Sequence, residues 1–186
     1  GVDAVAIGKQ AGTISQGIAG VAIGDLAGTT RQGNQGVSIG FACGNVDQGI
    51  GGIGIGVAAG QTDQGNYAIA LGNLSGQTNQ LANAIAIGRQ AGNISQDEYS
   101  IAIGNNAGYD TQAINSIAIG QQAGQNTQGA EAVCMGFQAG ETSQSVHGIA
   151  IGKQAGQTNQ GTRSVAIGIL AGQTNQGEKG LIVSSR

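Results

Sequence analysis

Asn115-Ser116-Ile117-Ala118-Ile119-Gly120, continued by Gln121-Gln122-Ala123-Gly124 and Gln125-Asn126-Thr127-Gln128-Gly129, decides the architecture, because the rest of the chain is made of copies of it. The glycine closing its first half recurs at Gly8, Gly24, Gly40, Gly56, Gly72, Gly88, Gly104, Gly120, Gly136, Gly152 and Gly168, sixteen residues apart each time. A second glycine follows four residues later, from Gly12 to Gly172, and a glutamine four after that. A fixed period in this range means stacked equivalent coils, each burying its apolar side only against its neighbours. Within the unit, Val5, Ile7 and their equivalents alternate with small residues, the two-residue period of a strand and not the 3.6-residue period of a helix. Two glycines per unit would also weaken a helix by roughly 1 kcal/mol each. The expected fold is all-β: a parallel β-solenoid, or β-roll, with 16 residues per coil and about 11 coils.

Composition agrees with a thin core. The chain has 186 residues, with Gly 37, no Pro, no Trp, 3% aromatic and 9% charged residues, and a net charge of −3. That is too few large apolar side chains for a globular interior but enough for a rod roughly 55 Å long at about 4.8 Å per stacked strand. Residues 1–179 read as eleven repeats, and 180–186 as a partial coil or an exit into a following domain, with Ile182 in place of the usual alanine and Ser184 in place of the glycine. Because the register begins at Gly1, no signal or transit peptide is legible, and the chain is expected to begin inside a longer protein whose flanking domains cover the open sheet edges. No apolar run approaches membrane-spanning length.

Stacking in register turns each position of the unit into a column. The column of Val5, Val21, Val37, Ile53, Ile69, Ile85, Ile101, Ile117, Val133, Ile149 and Val165 is wholly β-branched, and that of Ile7 is Ile except for Leu71 and Met135. Both columns are expected to point inward, joined by the Ala11 column across the first turn. By strand parity the Ala4 column and the column of Ala6, Ala22, Ser38, Gly54, Ala70, Ala86, Ala102, Ala118, Cys134, Ala150 and Ala166 then point outward. A solvent-facing strand would carry Thr, Lys, Glu or Arg, and none appears there. The latter column is therefore the candidate subunit interface, the competing reading being that small residues merely relieve crowding. On this assignment Ala118→Glu is expected to disrupt an oligomer and Ile119→Glu to unfold a coil. The seven basic and ten acidic residues avoid these columns, gathering in the turns and the second strand, with Arg186 at the terminus. In that second strand Ile14, Thr30, Val46, Thr62 and their equivalents share the parity of the glutamines and read as inward, and their neighbours as exposed; Asp110 and Asn126 break the pattern.

One glutamine recurs in every unit: Gln16, Gln32, Gln48, Gln64, Gln80, Gln96, Gln112, Gln128, Gln144, Gln160 and Gln176. Amides stacked about 4.8 Å apart can donate and accept along the rod, a ladder that resists register slips. The alternative is that each amide caps backbone groups of its own turn. Catalytic chemistry is not legible. His147 reads as a solvated turn residue, and Cys43 and Cys134, in different columns and more than five coils apart, as alanine substitutes beyond disulfide reach. The carboxylates recur at no fixed position, against a calcium-binding solenoid. The glycines precede no helix, against a nucleotide fingerprint, and no basic stripe suits nucleic acid. No catalytic residue, metal or cofactor is expected, and no membrane insertion.

Asn115-Ser116-Ile117-Ala118-Ile119-Gly120 and Ser164-Val165-Ala166-Ile167-Gly168 resemble the N-S-V-A-I-G repeat of the YadA-like head domains of trimeric autotransporter adhesins; related repeats occur in virus and phage fibres. The resemblance covers the first half of every unit. It implies a left-handed parallel β-roll, three chains around a threefold axis, and extracellular display on a cell or virion for attachment to a host-surface or matrix receptor, protein or glycan. Carried over by position, the Val/Ile columns would match the family's core and the Ala/Ser/Gly columns would lie near the chain-to-chain contact. Two departures stand out: a sixteen-residue coil where the heads use about fourteen, and a different Ala-Gly-x-Thr-x-Gln-Gly half. The alternative function is an ice-binding solenoid, suggested by the Thr column in six of eleven coils. An acyltransferase-type helix fits less well, because its six-residue rungs do not divide sixteen and its catalytic histidine is missing.

Overall fold

The computed structural model describes residues 1–184; Ser185 and Arg186, the end of the expected partial coil, lie outside the described residues. The chain is an all-β parallel solenoid of about eleven coils. Each coil contributes a front strand, from Val5–Ile7 to Val165–Ile167, with Leu181–Val183 closing the series, and each of the first ten a back strand, from Ile14–Gln16 to Thr158–Gln160, the eleventh making only a single bridge at Thr174. The front strands form one 12-stranded parallel sheet and the back strands one 10-stranded parallel sheet. Every pair is offset by sixteen residues, as in Val5↔Val21, Ala118↔Cys134 and Gln64↔Gln80.

Left-handed residues bend each coil. Gly8 and its equivalents sit at φ 114 to 135, which L side chains rarely adopt, and a Cβ on Gly8 would lie 2.5 Å from the Gly24 carbonyl oxygen. Inside the back strand the middle residue is also left-handed, as at Arg31, Asp47, Asp63 and Asn79, with φ between 52 and 55. Strict two-residue parity therefore fails there. Thr30, Thr62, Thr78, Thr142 and Thr158 are half-buried, where sequence parity had placed them inward, and Ile14 and Ile94 are exposed.

The front strand reverses the expected sides. Ala22, Ser38, Ala70, Ala86, Ala102, Ala118, Cys134, Ala150 and Ala166 are all 0% exposed within the single chain, and Gly54 is buried with them. Ala6 alone is exposed, because its coil is covered from one side only. This column is interior and cannot be a subunit interface. The Ala4 column and the Ala11 column are interior as well, as at Ala84, Ser100, Ala27 and Ala123. The Val/Ile columns point outward. The reason is width: the interior must also hold a glutamine from the back strand, and there is little room beside it. A Cβ added to Gly28 would lie 3.0 Å from Gln32 Oε1 and 3.2 Å from the Ala22 Cβ. A β-branched side chain in place of Ala22 would overlap this packing, so only methyl-sized groups face the amide.

Candidate functional site

The glutamines occupy the centre of the rod. Gln64, Gln80, Gln96, Gln112, Gln128, Gln144 and Gln160 are 0–2% exposed, and Gln32, Gln48 and Gln176 are buried beside them; Gln16, in the first coil, is half-buried. Each Nε2 donates across the coil to the front strand, as from Gln80 to the Ile69 carbonyl at 2.9 Å, and all but that of Gln48 also donate to the second turn, as to the Ala84 carbonyl at 3.3 Å. The amides also pair with one another. Gln32, Gln48, Gln64 and Gln80 donate in turn to the Oε1 of the next, ending on Gln96, at 3.0–3.1 Å; Gln144 donates to Gln160, and Gln160 to Gln176. Ladder and turn cap thus coexist in the same side chain. Between Gln96 and Gln144 the ladder stops: Gln112 Oε1 and Gln128 Oε1 have no partner, while Gln128 Nε2 donates to Cys134 Sγ at 3.4 Å and that thiol donates to Gln144 Oε1. Such a polar interior is tolerable only because the backbone carbonyls and amides satisfy one another; an orphaned buried group costs about 1–3 kcal/mol.

The outside of the front sheet is the chemically unusual surface. Its two columns of Val and Ile run the length of the rod in register, spaced about 4.8 Å along it and about 6.6 Å across it. Ile7 is 59% exposed, Ile55 41%, Met135 40%, Ile151 36% and Ile167 37%, and the other members of their column are half-buried by their neighbours in the stack. The turns at the strand ends add exposed Ile18, Ile50, Ile114 and Val146 on one side and Phe41, Val57, Phe137 and Ile169 on the other. The two columns alone make a strip on the order of 500 Å², and the flanks extend it; a soluble monomer seldom leaves so large an apolar patch uncovered.

The remaining residues singled out from the sequence do not converge. His147 Nε2 lies 3.3 Å from Glu131 Oε2 on the exposed second turn. Arg31 and Asp47 form an ion pair on the back face, with the guanidinium holding the Asp47 carboxyl below its ordinary range. Cys43 is buried, and desolvation pushes its thiol up to about 12; the Cys134 thiol is raised by the same cause. Among the described residues no three His, Cys, Asp or Glu side chains gather to hold a metal.

Sequence reasoning missed the Val/Ile face as a surface, although a signal was present. A glutamine recurring at one position needs a polar lining of backbone groups, and only a column of alanine and glycine leaves that backbone within its reach. Comparison with protein-family models, curated proteins and solved structures returns no match.

Proposed function

We propose that this chain is a structural and attachment segment of an extracellular adhesin or fibre, in which three copies pack their Val/Ile faces around a common axis. The observation that carries the reading is the uninterrupted apolar strip on the outside of the front sheet. A standard interface buries about 800 Å² per partner, a size the strip reaches once its flanking Ile, Val and Phe residues are included. Identical copies are the natural cover, because a straight column with a fixed repeat matches another of the same pitch coil for coil. The N-S-V-A-I-G resemblance favours three copies. The proposed role is non-enzymatic: a stiff rod that displays its polar back face and turns to a host-surface or matrix receptor.

Light scattering on the purified chain tests the assembly. The expected mass is three times 18.2 kDa. A stable monomer at micromolar concentration would overturn the reading and turn attention to ice binding, for which the regular front array, and not the half-buried Thr column, would be the candidate surface. Thermal hysteresis measured on that monomer would then decide.

A further inference from the structure

Away from the front face, the repeat departs from itself most in one cluster of coils. The first residue of the second turn is Gly17, Gly33, Gly49 and Gly65 in the early coils, then Leu81, Asp97 and Ala113 in three successive ones, and glycine again in the later coils apart from Ser145. A Cβ on Gly65 would lie 2.5 Å from the Ala82 nitrogen, so real side chains there force the coils apart. The backbone bond at this position is 2.6–2.8 Å at Gly33, Gly49, Gly65, Leu81, Gly129 and Gly161 and 2.9–3.1 Å at Asp97, Ala113 and Ser145. Where Asp97 and Ala113 follow, and there alone, Ser95 and Thr111 also leave the left-handed region that Asn79, Thr127 and Ser143 keep, and the back strands shrink to Ser95–Gln96 and Thr111–Gln112.

The parted coils enclose a groove of about 260 Å³, lined by Asn79, Leu81, Ser95, Asp97, Thr111 and Ala113, with Gln96 and Gln112 beside them. Gln112 is 1% exposed, and its Oε1 is one of the amide oxygens left without a partner. Most of the lining is carbon. The groove's one charged group is the half-buried carboxylate of Asp97, whose Oδ1 accepts the Glu98 N–H at 2.8 Å. Glu98 and Asp110 adjoin it in sequence position, and no Lys, Arg or His occurs in 78–83, 94–99 or 110–115.

We propose that this groove binds a lysine side chain of a partner protein. The aliphatic stem would lie along Leu81 and Ala113, as lysine stems do on apolar surface. The ammonium would reach the Asp97 carboxylate, with its two remaining protons donated to acceptors among the Ser95 and Thr111 hydroxyls and the Asn79 carbonyl. Charge complementarity selects this occupant: an apolar slot ending in an uncompensated carboxylate disfavours neutral and anionic groups. The site lies on the back sheet, so it stays open whether or not the front faces are packed together.

Backbone-amide NMR on the full chain, titrated with n-butylammonium and separately with n-butanol, tests this. The expected result is saturable shifts confined to Leu81, Ser95, Asp97, Thr111, Ala113 and their neighbours, with affinity for the cation about threefold or more above the alcohol. That preference should disappear in Asp97→Asn, and the shifts themselves in Leu81→Gly/Ala113→Gly, which restores the repeat and closes the groove. Equal response to the neutral alcohol, shifts spread over the whole back sheet, or a response to methyl glucoside in place of the ammonium would each overturn the proposal.

Discussion

The two sheets of this rod share one pitch and one core but present opposite surfaces. The front sheet shows Val and Ile in every coil, with no charge; the back sheet shows Arg31, Asp47, Asp63, Asn79, Thr127 and Ser143 at a single column. Both are held by the same interior of alanine, glycine and glutamine, but only the back strand has a left-handed middle residue, a conformation that disfavours β-branched side chains. The back column varies in size and charge from coil to coil, whereas the Val5 column stays β-branched through all eleven coils. What the contrast teaches is that in this solenoid the small and polar residues fill the interior while the β-branched ones form its apolar outer face.

The largest effect expected from breaking that division is in the interior. Ala118→Glu places a carboxylate where the side chain is 0% exposed and beside the Gln128 amide, and should cost more than about 3 kcal/mol, melting the local coils in a denaturation curve. Next comes the ladder. Gln80→Ala removes a donor to the Ile69 and Ala84 carbonyls and breaks the amide chain on both sides, at an expected cost of about 2–4 kcal/mol. Gln112→Ala should cost less, because Gln112 Oε1 already lacks a partner. Comparing the two urea midpoints measures what the inter-amide bonds add beyond the turn caps.

The smallest effect lies on the back face. Arg31 lowers the Asp47 carboxyl from its ordinary value, so the pair's contribution is present in full above the normal carboxylate range and is lost as the pH falls through the depressed value. The pair is well exposed, so Asp47→Asn should barely move the melting temperature at pH 7, and wild type and variant should converge further in acid.

Much of the architecture was legible beforehand. The sixteen-residue spacing of Gly8, Gly24 and their successors gives the coil count, and the alternation at Val5-Ala6-Ile7 gives the strand type. Sidedness was not, because period-two alternation fixes that Ala6 and Ile7 face opposite ways without saying which way is in. The usual assumption that larger apolar residues fill the core fails in a coil this narrow, where Gln16 and its equivalents take the central volume and leave space only for methyl groups. The half-burial of the Thr column escaped for a different reason: a left-handed residue such as Arg31 or Asn79 within the back strand carries no compositional mark strong enough to announce it. The parted coils were half visible, in that Leu81, Asp97 and Ala113 interrupt a glycine column, but only the backbone clash at Gly65 gives the interruption a consequence.

The pairing of inside and outside can be tested on one strand. Ile103→Glu/Ile119→Glu changes two outward residues on adjacent front strands and leaves Ala102 and Ala118 untouched. Sedimentation equilibrium combined with far-ultraviolet circular dichroism on this variant is the most direct test. The account predicts a folded β-rod of monomer mass, 18.2 kDa, where the parent chain sediments as three copies. An unfolded chain would return Val and Ile to the core, and a folded trimer would mean that the front face is not where the copies meet.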